Sequence, residues 1–282
     1  MPSLQPLRRR LKSIQSIHQI TRAMEMIATS KMKKATKKVV QARDYSESAR
    51  DILSRLKNYS HPLLQEREIQ KNAIILITSD RGLCGSFNSA LLKELLNYVK
   101  MIENQKQEIA LITIGKKGRD FVSRFLGDRL IADFTGLKDE ILYEEITPIA
   151  HLVTQDFINK KYDRVYILYS HFVSGFSQKP MVLQILPVVP QTGGKNNEYI
   201  LEPSPNQLLE ILVPQLIETQ IYQALLESKA SEFSARMMAM KNATENAKDL
   251  MDELYLTYHS IRQATITSEL TDMVTAKKAM EE

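Results

Sequence analysis

Ser79–Gly85 reads SDRGLCG and follows a short apolar run, Ala73–Thr78 (AIILIT). It gathers a hydroxyl, a carboxylate, a guanidinium and the only thiol of the chain, Cys84, where a strand would hand over to a helix. Loops at such junctions offer backbone N–H groups to phosphates. This one lacks both the GxxxxGKS/T of a P-loop and the GxGxxG of a dinucleotide site. GKKG at Gly115–Gly118 fails both tests too, and a tight strand-to-helix turn is the better reading. The histidines, His18, His61, His151, His171 and His259, show no metal-ligand spacing such as HExxH. A single cysteine excludes an internal disulfide and a thiol-based zinc site, and it fits a reducing compartment. No Ser–His–Asp pattern can be argued from spacing. The residues therefore predict no catalytic site, no cofactor and no metal, and the function must lie on the surfaces.

The elements that carry those surfaces are legible from glycine. All 9 glycines of the 282-residue chain fall between Gly82 and Gly194. Glycine serves tight turns, which belong to globular folds rather than rods. The chain thus reads as rod, globule, rod, with boundaries at 1–60, 71–200 and 206–282. From Ser3 to about Tyr59, Leu7, Leu11, Ile14, Ile17, Thr21, Met24 and Ala28 recur at spacings of three and four. Lys31 or Met32, Ala35, Ala42, Ala49, Leu53 and Leu56 continue the stripe less cleanly.

The last segment holds neither glycine nor proline from Gln215 onward, and fully helical it would reach roughly 90–100 Å. Its seam is Leu226, Ala230, Phe233, Met237, Met240, Thr244, Ala247, Met251, Leu254, Tyr258, Ile261 and Thr265. A sustained 3.5-residue period implies a left-handed supercoil. The N-terminal helix is its natural antiparallel partner. Between the rods, Ala73–Thr78, Glu108–Ile114, Leu130–Phe134, Arg164–Ser170 and Met181–Val189 read as strands. Helical patterns follow the first two, and Asp139 to about Lys160 reads as helix interrupted by Pro148. That alternation predicts βαβ units and a mainly parallel sheet. The fold class is α/β, a long antiparallel coiled coil plus a central βαβ domain.

Net charge is +5, but it is unevenly spread. Arg8, Arg9, Arg10, Lys12, Arg22, Lys31, Lys33, Lys34, Lys37, Lys38 and Arg43 face only Glu25 before Asp44. Three readings fit: a solvated face, a nucleic-acid surface, or a helix facing an acidic protein. No stacking aromatics or nucleic-acid motif accompany the lysines. No apolar run approaches the ~20 residues of a membrane span, and no secretory h-region begins the chain. The basic amphipathic start raises a mitochondrial transit peptide as an alternative.

Four blocks carry a resemblance. Ile20–Ala35 (ITRAMEMIATSKMKKA), Thr78–Gly85 (TSDRGLCG), Arg236–Ala247 (RMMAMKNATENA) and Arg262–Thr271 (RQATIT with ELT) stand in order across the chain. Together they are similar to the γ subunits of F-type ATP synthases. The resemblance begins almost at the first residue, which leaves no room for a removable leader.

The resemblance implies a Rossmann-like domain on an antiparallel coiled coil. It implies a central rotor shaft that couples proton translocation to ATP synthesis or hydrolysis and has no catalytic site of its own. Implied partners are the α and β subunits of the catalytic hexamer, the ε subunit and the c-subunit ring, with no nucleic acid and with membrane association through the complex only. Implied coupling contacts to β are Arg262, Gln263, Thr265, Glu269, Thr271 and Met24, and implied foot contacts to the ring are Tyr199 and Glu202. The implied location is the cytoplasmic face of a bacterial plasma membrane, the matrix side of the mitochondrial inner membrane being the alternative. One cysteine cannot form the thiol switch of the chloroplast type. The end, AKKAMEE, departs from the small apolar tail common in that family. A stand-alone coiled-coil adaptor is the rival reading, and a nucleic-acid-binding α/β protein is the third.

Overall fold

β1, Lys71–Ile77, is buried at every residue after its first, as a strand covered on both faces must be. Its side chains alternate between two cores. A computed structural model describes residues 4–55, 61–189 and 204–281. Within them lie α1 (Leu4–Arg55), α2 (Phe87–Asn104), β2 (Glu108–Ile114), α3 (Lys116–Phe125), β3 (Leu130–Phe134), α4 (Thr147–Ile158), β4 (Arg164–Ser174), β5 (Ser177–Leu186) and α5 (Pro205–Glu281). The sheet order is β3-β2-β1-β4-β5. β1 pairs in parallel with β2 and β4, β2 in parallel with β3, and β5 closes the edge antiparallel to β4.

Two compact units result, Ala28–Arg236 and Met1–Ile27 with Met237–Glu282. In the first, Ile74 and Leu76 pack with Phe87, Leu91 and Leu95 of α2 on one face of the sheet. On the other face Ala73, Ile75 and Ile77 meet α4 and the early turns of α5, including Val213, Ile217 and Ile221. A further cluster joins Ala35 and Val39 of α1 to Leu226, Ala230 and Phe233 of α5. α5 is therefore buried on nearly all sides from Leu216 to Ser234. In the second unit Leu11 and Ile14 of α1 pack with Ala247 and Leu254 of α5, flanked by Leu7, Met251 and Tyr258. Rising numbers on α1 meet falling numbers on α5 in each unit, so each pairing is antiparallel.

Several expectations need correction. Asp139–Lys160 is not one helix broken by Pro148. A 3-10 turn at Tyr143–Glu145 precedes α4, and Pro148 sits in the first turn of α4, where a missing N–H costs nothing. The fifth strand is Ser177–Leu186 rather than Met181–Val189, because it forms a tight hairpin with a β4 that runs on to Ser174. Ile17 is 48 % exposed and leaves the seam, while its neighbour His18 is half-buried. Leu56 and Tyr59 lie outside the described residues, and the side chains of Ala49 and Leu53 are likewise not described.

Candidate functional site

The carboxyl ends of β1 and β2 are where an open α/β sheet would hold a ligand. Here the polar groups are bonded to one another. Thr78 Oγ1 accepts from Gly118 N at 2.8 Å, and Asp80 Oδ1 accepts from Lys116 N at 2.9 Å. Ser79 Oγ donates to Arg81 O at 2.7 Å, and Asn88 Nδ2 donates to Ser79 Oγ at 2.8 Å and toward Cys84 Sγ at 3.2 Å. Gly115, at φ 100°, lies so close that a Cβ would stand 2.3 Å from Thr78 O. Arg236 of α5 donates to Arg81 O and Gly82 O at 3.4 and 3.3 Å, and it pairs with Glu232 at 2.8 Å. The loop is thus a tight turn sealed by α5, and Cys84 is buried within it.

The outer faces are different. Arg262, Gln263, Glu269 and Thr271 are exposed on α5, Thr265 is half-buried, and Met24 is half-buried on α1. Thr265, Thr267, Thr271 and Thr275 each donate their hydroxyl to the carbonyl four residues back, at 2.8–2.9 Å. Their hydrogens are satisfied within the helix, leaving Arg262, Gln263 and Glu269 as the long polar groups there. Among them stand exposed Ile266, Leu270, Met273 and Val274. Apolar and polar side chains thus alternate over the exposed surface of this end of α5. Nearer its middle the pair is closed by Thr244 Oγ1 bonding Thr21 Oγ1 at 2.9 Å, and by Arg8 bonding Tyr258 Oη at 3.1 Å.

The basic face of α1 divides in two. Lys31 pairs with Asp139, Lys38 with Glu140 at 2.9 Å and Arg43 with Glu227 at 3.2 Å. Arg9, Arg10, Lys12, Lys33, Lys34 and Lys37 remain exposed. The acidic partners on the α4 approach and on α5 escaped sequence reading because they lie far along the chain. Tyr199 and Glu202 lie outside the described residues.

Among the described residues no group of His, Cys, Asp and Glu could hold a metal, and no helix is long and apolar enough to cross a membrane.

The family model described as "ATP synthase" matches residues 3–280. The chain is 45 % identical to the ATP synthase gamma chain of Pelotomaculum thermopropionicum, over 100 % of both chains. It is 39 % identical to that of Heliobacterium modesticaldum, over 99 % of this chain and 100 % of the other. A chain of the central stalk and c-ring of Tetrahymena thermophila mitochondrial ATP synthase superposes with a TM-score of 0.63 at 28 % identity, covering 79 % of this chain and 99 % of that one. A chain from the rotor of the Euglena gracilis enzyme shares the fold at a TM-score of 0.66 and 20 % identity, over 93 % and 98 % of the two chains.

Proposed function

This chain belongs to the ATP synthase family as a γ chain, and we propose that it acts on the catalytic subunits through the exposed face of α5 around Arg262 and Gln263. It is the central shaft of the enzyme, a subunit that transmits rotation and performs no chemistry itself. A shaft changes a catalytic site only by touching its conformations unequally. An asymmetric pair of helices turning inside a ring presents each surrounding subunit with a different face at each angle. Sites that bind ADP and phosphate, hold ATP or release it are then favoured in turn.

The observation that carries the assignment is the division of α5 itself. Its seam residues turn inward from Leu226 to Tyr258, while Arg262, Gln263, Glu269 and Thr271 are exposed. Arg262 is placed to donate charge-assisted hydrogen bonds to acidic groups of β. Thr265 flanks the same contact from a half-buried position, whereas Met24, three residues past the Thr21 that bonds Thr244, lies about 30 Å along the helix pair from Arg262 and would meet β at a separate place. Tyr199 and Glu202 would serve the foot against the c ring. The remaining partners are the α and ε subunits, and the complex sits peripherally on the cytoplasmic face of a bacterial plasma membrane.

Arg262→Ala in the assembled enzyme tests the reading. Losing one charged hydrogen bond worth about 1.5–3 kcal/mol in the coupled step lowers turnover about ten-fold or more. The melting temperature of the isolated chain should not move, because Arg262 is exposed and loses no hydrogen-bond or ion-pair partner among the described residues. Wild-type coupled synthesis in this variant would remove Arg262 from the contact.

A further inference from the structure

Glu227 is the most deeply buried charged residue among those described, at 1 % exposure, and it lies within the Ala28–Arg236 unit. Its carboxylate collects donors from three elements. Arg43 Nη2 of α1 lies 3.2 Å from Oε1, His171 Nδ1 of β4 lies 2.5 Å from Oε2, and Gln223 Nε2, one turn earlier on α5, lies 3.2 Å from Oε1. Around this hub the β4–β5 hairpin is fastened along the same helix. Ser231 Oγ donates to Ser170 O at 3.0 Å, Ser234 Oγ donates to Gly175 O at 2.5 Å, and Gln178 Nε2 donates to Ser234 Oγ at 2.9 Å. The apolar contacts at this level include small side chains, Ala35, Val39 and Ala230, which resist separation but offer little resistance to roll.

A buried ion cluster is a poor way to gain stability, since desolvating the charges offsets their attraction. Its best-attested use is to fix register, because hydrogen bonds are directional and apolar contact is not. We infer that Glu227 is a positioning residue of the shaft. It clamps α1, α5 and the β4–β5 hairpin in one rotational register, so that a turn imposed on the sheet is imposed on both helices without slip. The inference rests on the rotor role and is independent of the contacts assigned to Arg262.

The test uses the complete enzyme with an optical probe on the globular unit. Glu227→Leu removes the charge while keeping apolar volume. Arg43→Leu removes one spoke, and Arg43→Lys keeps a cation there. The angular spread of the stalled rotor, protons pumped per ATP hydrolysed and thermal melting are read for each. Glu227→Leu and Arg43→Leu should widen the angular spread and lower the pumping ratio while hydrolysis continues and melting stays near wild type. Arg43→Lys should restore both readouts. Wild-type spread and ratio in the two leucine variants would overturn the clamp, as would a lysine variant no better than the leucine one. If Glu227→Leu does not assemble, the Arg43 pair decides alone, since that side chain is 42 % exposed. A wild-type chain that fails to rotate would instead count against the rotor role.

Discussion

Lys31 and Lys38 stand one heptad apart on α1 and reach two adjacent carboxylates, Asp139 and Glu140. Burial pushes the Asp139 carboxyl up, but the hydrogen bond and charge of Lys31, helped by Lys229 and Arg81, outweigh it and hold the group below its usual range. A carboxyl lowered by folding adds stability above its unfolded value, about 3.9, and loses it as pH falls through the folded one. The side chain is 46 % exposed, so solvent screening keeps the contribution to about 0.5 kcal/mol. Asp139→Asn should therefore melt slightly earlier than wild type at pH 7, with the two curves converging in acid. A gap that persists at low pH would mean that packing, not charge, ties Asp139 to α1. The lysine run was plain in the sequence, but its division into spent and free cations was not. Pairs separated by 108 residues, such as Lys31 with Asp139, have no local signature.

At the scale of the element, α1 separates two adjacent isoleucines of the expected seam. Ile14 is 7 % exposed and touches the cluster around Leu254, whereas Ile17 is 48 % exposed. Ile14→Ala should cost about 2–4 kcal/mol, and Ile17→Ala should stay within about 0.5 kcal/mol. Equal losses in chemical denaturation of the two variants would return Ile17 to the seam. The error has a physical origin. A helix of 3.6 residues per turn allows a step of three or four from Ile14. Apolarity favoured Ile17, but the step of four to His18 is the half-buried one, as an imidazole can cover apolar surface while its nitrogens stay near water. Along α5 the same rule read the packed seam as far as Tyr258. The strands were legible for a similar reason, since AIILIT and EIALITI are apolar beyond any helical period. The extent of β5 was not, because it follows from pairing across the hairpin with β4.

At the scale of the molecule, α1 carries a dense run of exposed cations. With Lys31, Lys38 and Arg43 engaged internally, Arg9, Arg10, Lys12, Lys33, Lys34 and Lys37 are left to act outward. Positive side chains of this kind speed encounter with an acidic surface and set its orientation more than they add affinity. One copy of the chain added to cognate α and β subunits should therefore join a stable hexamer and raise sustained ATP hydrolysis. The association rate should fall steeply as salt rises from low to physiological strength, where the Debye length shrinks to about 8 Å. Turnover of the assembled complex should change little over the same range, because the contacts within it are shorter than that length. An adaptor would bind without raising turnover. A nucleic-acid binder would show its salt dependence with DNA or RNA and none with the hexamer. Salt-sensitive assembly followed by salt-tolerant turnover is the pairing expected only of a shaft that is steered in by charge and then works by shape.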